Sequence, residues 1–243
     1  MATPTHESFA AAKRVLAWLN TRQELGVTWG DASLRSLVDL QPPDHDIMPM
    51  ARETDYSFHC YVDSDLPGGP LPPKEPPAAE DEPTSTGDPG SHRAQLGFIM
   101  MLAGGCFASA SRRQHSTAVD TAAAEMFAAS SAAAEIMHLT GVLAFLSFGV
   151  LGTQRVRVWC DNEAAVLAAN DASSIKRLAY IARRVRFIQE LVTRGILRLL
   201  DVSGKENPAD VLTKHVAPKN TFLEYMARVY NAPLEMLRAT TRA

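Results

Sequence analysis

Residues 155–170, RVRVWCDNEAAVLAAN, hold the pattern that decides the fold. Val156, Val158 and Cys160 alternate with Arg155, Arg157 and Trp159, the two-residue period of a strand with one face turned inward. At Asp161-Asn162 that period stops, and a short helix is expected over Asn162–Ala169. Asp161 therefore stands where a strand hands over to a helix.

Downstream, Ser173–Arg194 reads as a longer helix ended by Gly195, Ile196–Val202 as a strand, and Asn207-Pro208 as the opening of a helical region, with room for a break, reaching about Tyr230. Upstream, Asp120 to about Gly149 is an alanine-rich helical stretch with Gly141 as a candidate break. Before it, Gln95–Leu102 and Cys106–Ala110, separated by Gly104-Gly105, predict a hairpin. Ser57–Val62 sets Phe58, Cys60 and Val62 against His59 and Tyr61, the alternation of a first strand. The order β-β-β-α-β-α-α-β-α predicts an α/β fold with a mixed five-stranded sheet and helices on its faces.

The flanks are organised differently. Residues 1–30 contain a helical pattern from His6 to Leu25, with Phe9, Val15, Leu16, Trp18 and Leu19 near helical spacing. Residues 31–55 hold Pro42, Pro43 and Pro49 without a sustained period, and read as a connector. The domain proper is expected over 56–232, with a tail at 233–243. It is interrupted at 66–93 by an extended solvated loop, which between Leu66 and Gly90 holds eight of the chain's 15 prolines and five acids against Lys74.

Composition bounds the function. The 243 residues are 46% hydrophobic and 21% charged, with a net charge of −3, which excludes a polybasic binder while leaving room for a local basic face. Cys60, Cys106 and Cys160 lie far apart with no CxxC, against a disulfide framework or zinc finger. Residues 1–14 lack an apolar core of a secretory signal, and Val142–Leu151 is too short to span a bilayer. An intracellular protein, cytoplasmic or nuclear, with no membrane partner is expected.

Among 27 acids, four stand at the edges of elements. Asp63 terminates the first strand, Glu125 sits one turn into the alanine-rich helix, Asp161 ends the fourth strand, and Asp210 lies in the first turn of the last helical region. Each also has a plain structural reading. Asp161 or Asn162 can cap the following helix, Asp210 suits a helix dipole, Asp63 can start a turn, and Glu125 can be a solvated helix residue.

The order of the elements and the wording around these acids resemble the ribonuclease H domain of copia-type LTR retrotransposon Pol polyproteins. That family reads roughly SDADWAG, SSTEAEY, YCDNQSA, HFIRE and ENLADILTK. The corresponding strings here are VDSDLPG (62–68), DTAAAEM (120–126), WCDNEAA (159–165), RFIQE (186–190) and ENPADVLTK (206–214). WCDN and the last two strings agree at several fixed offsets. Residues 4–30 also look like the segment joining reverse transcriptase to ribonuclease H. The first glutamate of the second family string is Ala123 here, Leu66-Pro67 replaces the tryptophan after the first, and the Pro-rich stretch replaces a short loop.

The resemblance implies a ribonuclease H-like fold in which Asp63, Glu125, Asp161 and Asp210 converge as catalytic and metal-binding residues. Oxygen-only ligands select hard cations, so two Mg²⁺ ions, with Mn²⁺ as a substitute, are the implied cofactors. They would bracket a phosphodiester and cut the RNA strand of an RNA–DNA hybrid, with an upstream reverse transcriptase domain as a further partner. Phosphate contacts are expected from Lys176, Arg177, Arg183, Arg184 and Arg186 in the densest basic stretch, and RNA-strand contacts from Asn162 and Gln114. Two other readings compete: a decayed remnant that keeps the fold and binds nucleic acid, and a DNA nuclease of the same superfold.

Overall fold

The structure is a computed structural model, and it describes residues 58–66, 93–145, 155–171, 178–214 and 219–232, with Lys13, Leu234 and Leu237 besides. The predicted N-terminal helix, the connector and nearly all of the Pro-rich stretch lie outside the described residues.

Five strands form one sheet in the order β3-β2-β1-β4-β5, with β1 at Phe58–Asp65, β2 at Gln95–Leu102, β3 at Gly105–Arg113, β4 at Val156–Cys160 and β5 at Leu197–Asp201. β1, β4 and β5 run parallel. β2 and β3 are joined by Ala103 and Gly104, both at positive φ (51° and 81°), the geometry of a two-residue hairpin turn whose twist matches its strands. This mixed five-stranded sheet with helices is the α/β arrangement that the element order predicts. By internal packing the chain divides into two units, one containing Phe58–Met100 and Ala108–Val216, the other Met1–Ser57, Met101–Phe107 and Ala217–Ala243.

β1 is the central strand. Its first six residues are all buried, so the alternation of Phe58, Cys60 and Val62 with His59 and Tyr61 is not an in–out pattern. The strand lies mid-sheet between β2 and β4, and the Thr121–Phe145 helix and the 208–212 turn both pack against it. The strand also runs past Val62 to Asp65, carrying Asp63 inside it.

α1 (Thr121–Phe145) starts where Asp120 Oδ1 accepts the N–H of Ala123 at 2.7 Å. It packs on β1, and Ala123, Ala124, Ala128, Ala129, Ala132 and Ala133 are all buried. Side chains this small let the helix axis approach the sheet closely. The helix runs unbroken through Gly141, where a Cβ would meet nothing within 4 Å; an exposed glycine costs about 1 kcal/mol against alanine, too little to end a packed helix. α1 is long and apolar enough to cross a membrane by length and composition, and half of its most apolar window is buried inside the protein.

α2 (Glu163–Asn170) follows β4 directly, and Asn162 caps it by accepting the N–H of Ala165 at 3.0 Å. α3 (Ala182–Thr193) packs against α1 and α2. It ends as Gly195 suggested: at φ +71° Gly195 donates to Val192 O at 3.0 Å, and Ile196 donates to Leu191 O at 2.9 Å. Of the longer helix expected over Ser173–Arg194, residues 178–181 form a 3₁₀ turn and 172–177 lie outside the described residues.

After β5 the chain makes two 3₁₀ turns, Gly204–Glu206 and Pro208–Leu212. The helical region expected to open at Asn207-Pro208 is thus a tight turn, and α4 (Lys219–Tyr230) begins later. The 208–212 turn packs against β1.

Candidate active site

Strand register brings the first two acids together. In the β1–β4 ladder Cys60 lies opposite Val158 and Tyr61 opposite Trp159. Two residues further, the same register sets Asp63 beside Asp161, on neighbouring strands roughly 4.8 Å apart at their C-terminal ends. Ligands of α/β sheets collect at this edge, outside the carboxyl ends of parallel strands.

Asp210 arrives on the 208–212 turn, which three contacts hold against the sheet. Asn207, fully buried, donates from Nδ2 to Val62 O at 2.8 Å while its Oδ1 accepts the N–H of Ala209 at 3.1 Å. Ser111 of β3 donates to Leu212 O, and Gln95 of β2 donates to Ser111 in turn. Gly97 of β2 makes the approach possible: a Cβ there would lie 2.7 Å from Leu212 Cβ and 2.9 Å from Thr213 Cγ2. Carboxylate oxygens of Asp63, Asp161 and Asp210 consequently lie within 4.8 Å of one another.

Glu125 enters from α1. It is 4% exposed, so it is no solvated helix residue, and its Oε1 accepts the N–H of Ser64 at 2.9 Å. Glu125, Cys160 and Asp161 make a second group within the same 4.8 Å limit, with Cys160 Sγ 3.6 Å from Glu125 Oε2. Asp161 belongs to both groups, so all four acids converge.

Crowded carboxylates away from water hold their protons more tightly. Burial first, then the charges of Asp63 and Asp161, raises Glu125 well above the usual carboxylate range, against the lowering effect of the Ser64 N–H. Asp161 is raised by burial and Asp63, partly offset by Lys214. Asp210 is pushed up to about 6, again first by burial. The cluster is short of positive charge. Burial and the Glu125 charge also raise the Cys160 thiol, which stays protonated and is no nucleophile.

Several residues here went unnoticed in the sequence. Lys214 Nζ lies 2.8 Å from Asp210 Oδ1 and 3.5 Å from Asp63 Oδ1. Burial pulls its pKa down, but the contact with Asp210 and the charges of Asp63, Asp210 and Asp161 outweigh that and hold it above its ordinary value. Thr213 donates its hydroxyl to Asp63 Oδ2. Both sit in the ENPADVLTK string, where the four-residue spacing of Asp210 and Lys214 was the available signal. Gly97 had none, because its neighbours come from distant segments.

The expected nucleic-acid contacts separate. Arg183 and Arg186 are exposed on α3. Arg184 is turned inward, its guanidinium 4.6 Å from the Phe127 ring centroid and its Nη1 2.9 Å from Ser130 Oγ on α1. Burial lowers its pKa. Gln114 is buried at 2% exposure and donates from Nε2 to Ser64 Oγ and Ala124 O, both at 3.0 Å, so it ties β1 to α1. Asn162 stands half-buried at the rim, with its oxygen used in the α2 cap. Lys176 and Arg177 lie outside the described residues.

Comparison with known proteins agrees with the wording of these strings. The chain is 32% identical over 136 residues to the retrovirus-related Pol polyprotein from transposon TNT 1-94 of Nicotiana tabacum, covering 56% of this chain and 10% of the relative. It is 24% identical over 229 residues to the corresponding polyprotein from transposon RE1 of Arabidopsis thaliana, covering 94% of this chain and 13% of the relative. Its homologues are Pol polyproteins of plant transposons. The chain spans about a tenth of the length of these curated relatives. No family model matches it. Among solved structures, LC11-RNase H1 isolated from compost is 16% identical with a TM-score of 0.42, covering 65% of this chain and 93% of that one. The same enzyme in complex with an RNA/DNA hybrid is 13% identical with a TM-score of 0.40, covering 65% of this chain and 94% of that one.

Proposed function

We propose that this chain cleaves the RNA strand of RNA–DNA hybrids, with divalent cations held by Asp63, Glu125, Asp161 and Asp210. The supporting observation is the convergence of the four carboxylates at the C-terminal edge of β1 and β4. Homology to transposon Pol polyproteins supplies the context in which such an activity serves.

The donor set fits Mg²⁺ or Mn²⁺. It is dominated by carboxylate oxygens, the protonated Cys160 thiol is a poor ligand for hard ions, and three of the acids have raised proton affinity because burial, and then the charge of neighbouring carboxylates, disfavours their ionised form. When bound, such ions would activate water and stabilise the departing 3′ oxygen of a phosphodiester. The chain's own task is to hold the oxygens in place. β1 and β4 set Asp63 beside Asp161, α1 brings Glu125 over the Ser64 N–H, and Asn207 ties the Asp210 turn to Val62. Asn162 at the rim and the exposed Arg183 and Arg186 on α3 would meet the nucleic acid.

A labelled RNA–DNA hybrid with Mg²⁺ tests the reading. Wild type should cut only the RNA strand, leaving 5′-phosphate and 3′-hydroxyl ends, and should spare duplex DNA and duplex RNA. Asp161→Asn should abolish cleavage while its circular dichroism spectrum stays native. Full cleavage by that variant removes the acids from the chemistry. Cleavage of duplex DNA instead would assign the site to a DNA nuclease.

A further inference from the structure

Resting on the reading of the four acids as a cation site, we propose that Lys214 is an internal counter-cation that holds Asp63 and Asp210 together before metal binds and competes with the metal for them. Asp63 is 1% exposed, and both its oxygens are engaged, Oδ1 facing Lys214 Nζ at 3.5 Å and Oδ2 accepting the Thr213 hydroxyl. The same ammonium lies 2.8 Å from Asp210 Oδ1. A divalent ion reaching either carboxylate meets an oxygen already facing a positive charge, and like charges at such separations repel strongly in a partly dehydrated site.

The ammonium can leave. The Lys214 side chain is 39% exposed, so its charged end can return to water along a flexible stem. Two divalent ions neutralise four carboxylates unaided, which makes the lysine's charge surplus once the site is loaded. Among the described residues of the metal-free protein, Lys214 is the cation placed to limit repulsion among Asp63, Asp161 and Asp210. Lys214 acts here as a positioning residue, through the carboxylates and not on the substrate.

Mn²⁺ titration by calorimetry, without nucleic acid, on the full chain as wild type, Lys214→Gln and Lys214→Arg tests this. Lys214→Gln should bind Mn²⁺ about tenfold tighter, within the usual span of coupling between two ligands at one site. It should also melt at a lower temperature in EDTA and gain more from added Mn²⁺. Lys214→Arg, which keeps the charge, should stay close to wild type. Equal affinities in all three, with clear binding, overturn the counter-cation while leaving the cation site standing. No Mn²⁺ binding in any of them overturns the cation site itself. Reductive methylation of the wild type, read by mass spectrometry, gives a second measurement that needs no variant. Lys214 should label several-fold faster with saturating Mg²⁺ than in EDTA, and an unchanged rate overturns the proposal.

Discussion

Asn207 is where a single side chain decides whether Asp210 reaches the site. Its amide spans the Val62 carbonyl and the Ala209 N–H in a fully buried position, so replacement by alanine leaves the strand's acceptor unpaired and frees the turn. Loss of such a buried contact costs about 1–3 kcal/mol. Asn207→Ala should therefore lower the urea midpoint accordingly and lose hybrid cleavage. Asn207→Asp should fail in the same assays, because a carboxylate has no donor for Val62 O. Asp210 predicts a pH effect of known sign. Its carboxyl is raised to about 6 in the folded protein from an ordinary value near 3.8, so the folded state binds this proton more tightly than the unfolded chain. The resulting stability is present in full below pH ~4 and is lost as pH rises through about 6. In EDTA, Asp210→Asn should thus gain on wild type in denaturant midpoint between pH 5 and pH 7. A difference that stays flat across that range would mean Asp210 titrates at its ordinary value.

At the scale of elements, the site depends on one turn lying flat against the sheet. The 208–212 turn touches β2 at Gly97, where even a methyl group would come within 3.0 Å of Leu212 and Thr213. Neither contact is with the far end of a long side chain, so the turn itself must shift. Overpacking of this kind costs about 1–3 kcal/mol. Gly97→Ala should keep the sheet, measured by circular dichroism, yet weaken Mn²⁺ binding several-fold, because Asp210 and Thr213 move with the turn. Gly204 plays a smaller part, since a Cβ there would stand 3.2 Å from Asp161 Oδ2. The alanine-rich face of α1 does the corresponding service for Glu125, letting the helix lie close enough for its carboxylate to meet the Ser64 N–H.

For the molecule as a whole, charge is the governing quantity. With a net charge of −3 and a cluster of four acids, a polyanion approaches only where cations face it. Neutralising Arg183 and Arg186 together should weaken hybrid binding and reduce the slope of log affinity against log salt by about two, if each meets one phosphate. Saturating Mg²⁺ should raise the melting temperature of the wild type, since an ion that binds only the folded state stabilises it. What the sequence determined unaided was whatever is written in local periodicity and motif: the five strands, the hairpin, the long alanine helix and the Gly195 stop. Those features depend on neighbours within a few residues, where spacing alone carries the signal. Tertiary structure alone decided that β1 is buried on both faces, that Asn207-Pro208 opens a 3₁₀ turn, that Arg184 and Gln114 face inward, that Lys214 and Thr213 reach Asp63, and that Gly97 admits the turn. Each of these rests on contacts between segments far apart in the chain, and no local pattern encodes which distant surface a side chain will meet.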